Sequence, residues 1–254
     1  MADIKTALIT GAARRVGRAI ALDLAEHGWT VIVHFHRAAE DAAAVVAAIR
    51  AAGGAALPVQ GDLSNEAETG RVFADAAAAA GPITCLINNA AVFEPDNIET
   101  ADRRSWDLHL ETNLRAPFVL SQALAANLPD GCGGAIINML DQRVWNLTPN
   151  FLSYTVGKAG LWTLTRTLAL ALAPRIRVNG IGPGPTLPSV RQTDAQFRQQ
   201  WQSMPLKRAT TPEEICDAVR FILGAHSMTG QMLALDGGQH LGWAQPPDGG
   251  VHEG

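Results

Sequence analysis

The chain has 254 residues, 47% hydrophobic and 17% charged, which excludes a disordered or coiled-coil protein and leaves room for one large core. Lysine and arginine number 20 against 24 aspartates and glutamates, a net charge of −4 with no basic run, so neither nucleic acid nor an anionic membrane is an expected partner. Cys85, Cys132 and Cys216 have no CxxC spacing, which fits neither a disulfide framework nor a zinc cluster and points to a reducing, cytoplasmic setting. No secretory leader pattern opens the chain, and the longest apolar region, 151–173, is interrupted by Lys158 and Arg166, so no membrane span is expected.

Short β-branched runs alternate with longer alanine- and leucine-rich stretches. Strands are predicted at 7–10, 31–35, 56–60, 83–88, 135–140, 176–181 and 232–235, with helices at 15–27, 39–52, 66–79, 102–127, 154–173 and 212–223. Pro212 suits a first helical turn. This rhythm predicts one α/β domain over 1–244, a doubly wound seven-stranded parallel sheet with helices on both faces and its ligand crevice at the strands' carboxyl ends. The Pro/Gly-rich residues 245–254 read as a mobile tail. Pro183, Pro185 and Pro188 break the rhythm over 183–204, as a lid over the crevice or as an ordinary irregular connection.

The first predicted strand runs into Thr10-Gly11-Ala12-Ala13-Arg14-Arg15-Val16-Gly17 and then a helix. Gly11 permits a tight turn, Gly17 a close approach of helix to sheet, and the free N–H groups at the helix start attract a pyrophosphate. The middle glycine of the usual fingerprint is missing, and Arg15 in that region adds positive charge beside a phosphate. The second strand ends His34-Phe35-His36-Arg37, without the carboxylate that would hold a ribose 2′-hydroxyl. Arg37, assisted by His36, suits a 2′-phosphate instead, so NADPH is the expected coenzyme. Gly61-Asp62-Leu63 and Asn88-Asn89-Ala90-Ala91 end the next two strands with small residues that leave room for an adenosine.

Tyr154, the chain's only tyrosine, stands four residues before Lys158, which puts both on one helix face. An ammonium nearby favours phenolate, so Lys158 is expected to lower the pKa of Tyr154 toward the neutral range.

These ordered motifs, with Asn113 and with Arg177-Val178-Asn179 leading to Pro183-Gly184, resemble the short-chain dehydrogenase/reductase family over nearly the whole chain. The resemblance implies a Rossmann-type fold, Tyr154 as general acid/base, Lys158 on the nicotinamide ribose and Asn113 anchoring a water of the proton relay. It implies coenzyme contacts at Pro183, Gly184 and Thr186 beside Gly11, Arg15, Val16, Gly17, Asp62, Leu63, Asn89 and Ala90. Where the family usually carries a catalytic serine this chain has Asp141, thirteen residues before Tyr154. That departure, with Arg15, His36-Arg37 and Phe93, resembles the pteridine reductases. The narrower resemblance implies that Phe93 packs a pterin against the nicotinamide, Arg15 lies near phosphate and pterin, and Asp141 works with Tyr154 in proton delivery. Leu187 and Pro188 would border the substrate, Trp145 stands either in the pocket or in packing, and the family suggests a homotetramer with helices 102–127 and 154–173 at an interface.

The expected activity is NADPH-dependent reduction of a dihydropterin or dihydrofolate to the tetrahydro form. The competing expectations are a general ketone or 3-oxoacyl thioester reductase, in which Asp141 replaces serine as an orienting group, and a noncatalytic NADPH-binding sensor.

Overall fold

A computed structural model describes residues 4–242, so the expected tail at 245–254 lies outside the described residues. Seven parallel strands form one sheet: β1 (Thr6–Ile9), β2 (Thr30–Phe35), β3 (Ala55–Gln60), β4 (Cys85–Asn88), β5 (Gly134–Met139), β6 (Ile176–Pro183) and β7 (Met232–Leu235). Their order is β3-β2-β1-β4-β5-β6-β7, so the direction of winding reverses between β1 and β4. A crevice opens at the carboxyl ends of the strands at such a reversal.

Successive side chains of a strand point to opposite faces, and both faces here are dry. Ile9, Val31, Val33 and Ile87 pack against α1 (Arg15–Glu26), α2 (Ala39–Ala51) and α8 (Pro212–Gly224), through Ile20, Leu24, Ile49 and Ile215. Leu8, Ile32, Leu86 and Ile136 pack on the other face against α3 (Glu66–Ala80), α5 (Ala116–Asn127) and α6 (Leu152–Leu172), through Phe73, Leu120, Leu124 and Leu168. Among the described residues no helix is long and apolar enough to cross a membrane. Pro212 stands in the first turn of α8, behind a capping box made by Thr211 and Glu214.

The single helix expected over 102–127 is three pieces: α4 (Arg103–Leu110), a π turn (Glu111–Arg115) and α5. Pro117 is the cause legible in the sequence, because it has no N–H for the Asn113 carbonyl four residues earlier and its ring would crowd that carbonyl. The irregular stretch after β6 contains one helix, α7 (Asp194–Gln202), and 3-10 turns follow β5 (Gln142–Val144) and β7 (Gln239–Leu241).

Candidate active site

The glycine turn ends β1 at the winding reversal. Gly11 has φ +63°, and Gly17 is packed so closely that a Cβ would stand 2.3 Å from the Gly11 carbonyl oxygen. Arg15 adopts φ +53°, the left-handed backbone that L-residues rarely take, in the region where the fingerprint would have its middle glycine. Its guanidinium donates to the Pro188 carbonyl at 2.9 Å and the Leu187 carbonyl at 3.1 Å, tying the turn to the segment after β6. The first residues of α1 have no side-chain cap and no acidic residue, so its N-terminal N–H groups are open to an anion.

A buried imidazole braces this turn. His34 Nδ1 accepts from the Gly11 N–H at 3.1 Å, which leaves Nε2–H to donate to the Gly61 carbonyl at 3.1 Å. Burial lowers its pKa from 6.5 to about 4, so the ring is neutral at pH 7, as this pair of bonds requires. The Thr10 hydroxyl accepts from the Asn89 and Ala90 N–H groups, each at 2.9 Å, and the Asn89 amide donates to the Thr10 carbonyl at 2.8 Å. The β1 and β4 ends are thereby fixed to each other.

A cavity of about 490 Å³ runs from this turn to the start of α6. Gly11, Arg15, Val16, Gly17, Asn89 and Ala90 line one part of it, Pro183, Gly184, Thr186 and Leu187 another, and Phe93, Asp141, Tyr154 and Lys158 the far end. Ser189, Gln192, Phe197 and Gln200, from the segment expected as a lid or an irregular connection, also line it. His36 and Asp62 line a separate cavity of about 400 Å³ with Gly61, Glu68 and Arg71. There His36 Nε2 lies 3.5 Å from Asp62 Oδ2. Burial opposes ionisation of Asp62, but bonds from Ser64 and the charges of His36 and exposed Arg37 outweigh it and lower its pKa. The Leu63 side chain is buried in the core on one face of the sheet, which leaves its backbone for the expected coenzyme contact.

At the far end Tyr154 donates from its hydroxyl to Asp141 Oδ2 at 2.8 Å, while Asp141 Oδ1 accepts the Arg143 N–H at 2.8 Å and so caps the 3-10 turn. Lys158, 2% exposed, donates to the Met139 carbonyl at 2.7 Å. The expectation that Lys158 pulls the phenol toward phenolate is corrected here. Burial and the Asp141 charge hold the Tyr154 pKa well above its ordinary value, and the opposing cation is Arg143. Lys158 is itself lowered by burial to about 8, with Asp141 acting in the opposite sense.

Asn113 is fully buried in the π turn and does not line the cavity. Its amide oxygen accepts from the Val92 N–H at 2.8 Å and its amide nitrogen donates to the Val92 carbonyl at 2.9 Å. The side chain therefore shapes the loop after β4, and a water would have to use the Asn113 backbone. Trp145 is not part of the cavity wall; it packs against Trp162 and His240.

Phe93 faces the cavity with one side of its ring covered by Phe151, at 4.3 Å between centroids and 7° between planes. Arg143 lies 5.1 and 5.0 Å from the two centroids, and Arg191 5.4 and 5.9 Å. Guanidiniums almost equally far from both rings sit beside the stack, and the Tyr154 ring meets Phe93 edge-on, at 4.7 Å between centroids and 71° between planes. Arg191 also donates to the Phe93 carbonyl at 2.7 Å and pairs with Glu94 at 3.2 Å, and His109 Nε2 accepts the Glu94 N–H at 3.1 Å.

Sequence reasoning missed His34, Arg143, Phe151 and Arg191. Arg143 carried a usable signal, standing two residues beyond the position that departs from the family. Phe151 carried none: its φ of +57° and its burial arise from tertiary packing. It offers α6 no side-chain cap, and Asp96 supplies one from outside the helix by accepting the Ser153 N–H at 3.0 Å.

A parallel sheet with a glycine turn at its reversal, and a Tyr/Lys pair at the far end of the same cavity, define a dinucleotide-dependent oxidoreductase of the short-chain type. The chain belongs to the short-chain dehydrogenase/reductase family: residues 11–240 match the family model described as Enoyl-(Acyl carrier protein) reductase. Among curated proteins it is 31% identical over 242 residues to the 3-oxoacyl-(acyl-carrier-protein) reductase FabG of Staphylococcus epidermidis, covering 93% of this chain and 99% of that one. Among solved structures it is similar to FolM Alternative dihydrofolate reductase 1 from Brucella suis in complex with NADP, at 45% identity and TM-score 0.93, covering 97% of this chain and 99% of that one. The corresponding protein from Brucella canis, complexed with NADP, gives 44% identity and TM-score 0.90, covering 95% and 96%.

Proposed function

We propose that the protein is an NADPH-dependent reductase of a pterin, taking a dihydropterin or dihydrofolate to the tetrahydro form. The observation that carries this reading is the Tyr154–Asp141 hydrogen bond, which joins a buried phenol to a carboxylate where carbonyl-reducing relatives use serine. The similarity to the two Brucella FolM reductases supports it.

The residues fit a phosphorylated dinucleotide. The uncapped start of α1 and the close-packed Gly11 and Gly17 suit its pyrophosphate, and His36 with Arg37 suit a 2′-phosphate. Asp62, the Leu63 backbone, Asn89 and Ala90 border the adenosine, while Pro183, Gly184, Thr186 and Lys158 hold the nicotinamide end. Bound NADPH supplies the hydride.

Phe93, which lines the cavity beside Tyr154, offers an aromatic contact to a flat heterocycle, and Arg15 and Leu187 line the same cavity. Tyr154 Oη, kept protonated by burial, delivers its proton to the ring nitrogen next to the carbon being reduced. Asp141 Oδ2, as a carboxylate, accepts from that hydroxyl and orients it, and the proton that Tyr154 gives up is replaced from solvent water. The Asn113 carbonyl, which Pro117 cannot bond, holds a water at the rear of this relay. Apolar residues exposed on α4 and α6, Trp106, Val156 and Leu170, suit burial in a homotetramer, to be measured by light scattering.

Purified protein given NADPH with 7,8-dihydrobiopterin, dihydromonapterin or dihydrofolate is expected to consume the coenzyme. No consumption with any of the three, alongside reduction of an acetoacetyl thioester, selects the second reading. That reading, a 3-oxoacyl reductase, is favoured by the FabG relative.

A further inference from the structure

Beside the proton-delivering pair lies a side chain that the catalytic account leaves unused. Gln142 lines the cavity and is 4% exposed, yet its amide oxygen is buried with no hydrogen-bond partner. The amide oxygen of Gln239, which reaches the same cavity from the turn after β7, is likewise buried and unpartnered. A buried amide oxygen without a partner costs free energy, so both glutamines that line this cavity hold an acceptor still to be satisfied.

The backbone around Gln142 is fixed. Its carbonyl accepts from the Trp145 N–H at 3.0 Å and the Asn146 N–H at 3.2 Å, and the Asn146 amide reaches across to the Gly242 carbonyl at 2.6 Å. Asp141, immediately before it, holds the hydroxyl of Tyr154. The backbone that carries this carboxamide is thereby held next to the proton donor before a ligand arrives.

We infer that Gln142 determines substrate specificity by pairing with an amide-like edge, an N–H beside a carbonyl or imine acceptor, on the molecule being reduced. A carboxamide carries a donor and an acceptor side by side, and the complementary partner carries them in the opposite order. The inference deepens the pterin reading and rests on it, because an aminopyrimidinone ring presents such an edge and a simple ketone does not.

The test compares wild type with Gln142→Met, which keeps the length of the side chain and removes both polar atoms. KM for 7,8-dihydrobiopterin is expected to rise about 10-fold with kcat within about 3-fold, the pattern of lost binding rather than lost chemistry. An unchanged KM overturns the inference while leaving the pterin reading standing. Should the wild type reduce no pterin, acetoacetamide and ethyl acetoacetate decide the matter. A preference for the amide that falls about 10-fold in the variant supports Gln142 although the pterin reading has failed, and equal use of the two overturns it. If Gln142→Met does not fold, Gln142→Glu retains the volume and loses the N–H donor, and the same outcomes apply.

Discussion

The Tyr154 hydroxyl donates to Asp141 Oδ2 at 2.8 Å, so the chain's only phenol is bound to a carboxylate rather than activated by an ammonium. Burial and that negative charge both favour the protonated phenol. Because Tyr154 has no sister residue, its ionisation is read directly from phenolate absorbance. Wild-type protein is expected to show no phenolate until alkaline unfolding, whereas Asp141→Asn brings phenolate in at lower pH. An unchanged titration would mean that Asp141 exerts no hold on the phenol.

Lys158 titrates near 8 because burial disfavours its ammonium. If the ammonium holds the coenzyme, kcat/KM for NADPH falls as pH rises through about 8, and a flat profile from pH 7 to 9.5 would deny it that role. Stability moves the other way. Between about pH 8 and the ordinary lysine value of 10.5 the unfolded chain holds more protons, so stability rises with pH across that window. Lys158→Met is accordingly expected to unfold at a higher temperature at pH 7, by a gain of at most about 3 kcal/mol, while losing turnover.

The His34 brace acts with the same sign on the acid side. Its pKa is lowered from 6.5 to about 4, so its contribution is complete above pH 6.5 and is lost as pH falls toward 4. Urea unfolding is expected to show up to about 3 kcal/mol of acid loss from this group. His34→Gln can still accept from Gly11 and donate to Gly61, and it should flatten the dependence; an equal slope in both proteins would assign it elsewhere.

Much of this was legible in the chain itself. Apolar strand runs separated by helices specify a sheet buried on both faces, and the glycine turn, Asn89, Tyr154 and Lys158 lie on one cavity as their order suggested. What escaped was long-range. Nothing near Phe151 announces that it stacks on Phe93, and nothing near His34 reveals that Gly11 and Gly61 converge on its two nitrogens. The sign of the Tyr154 shift departs from the local expectation for the same reason. The i, i+4 spacing put Lys158 on the right face, but Lys158 donates to Met139, and the arginine that does act on the phenol comes from the turn after β5.

Arg37 is expected to set the coenzyme preference. Arg37→Leu removes a charge-assisted contact of about 1.5–3 kcal/mol, so kcat/KM for NADPH should fall roughly 10- to 100-fold while that for NADH changes little. Equal losses with the two coenzymes would remove Arg37 from the 2′-phosphate site.

The measurement closest to the central claim is the specificity ratio, kcat/KM for 7,8-dihydrobiopterin over kcat/KM for an acetoacetyl thioester, in wild type and in Asp141→Ser. The ratio is expected to exceed one in the wild type and to drop about 100-fold or more in the variant, through loss of pterin reduction with thioester reduction kept or improved. A ratio that favours the thioester in the wild type, or that Asp141→Ser leaves unaltered, would contradict the account.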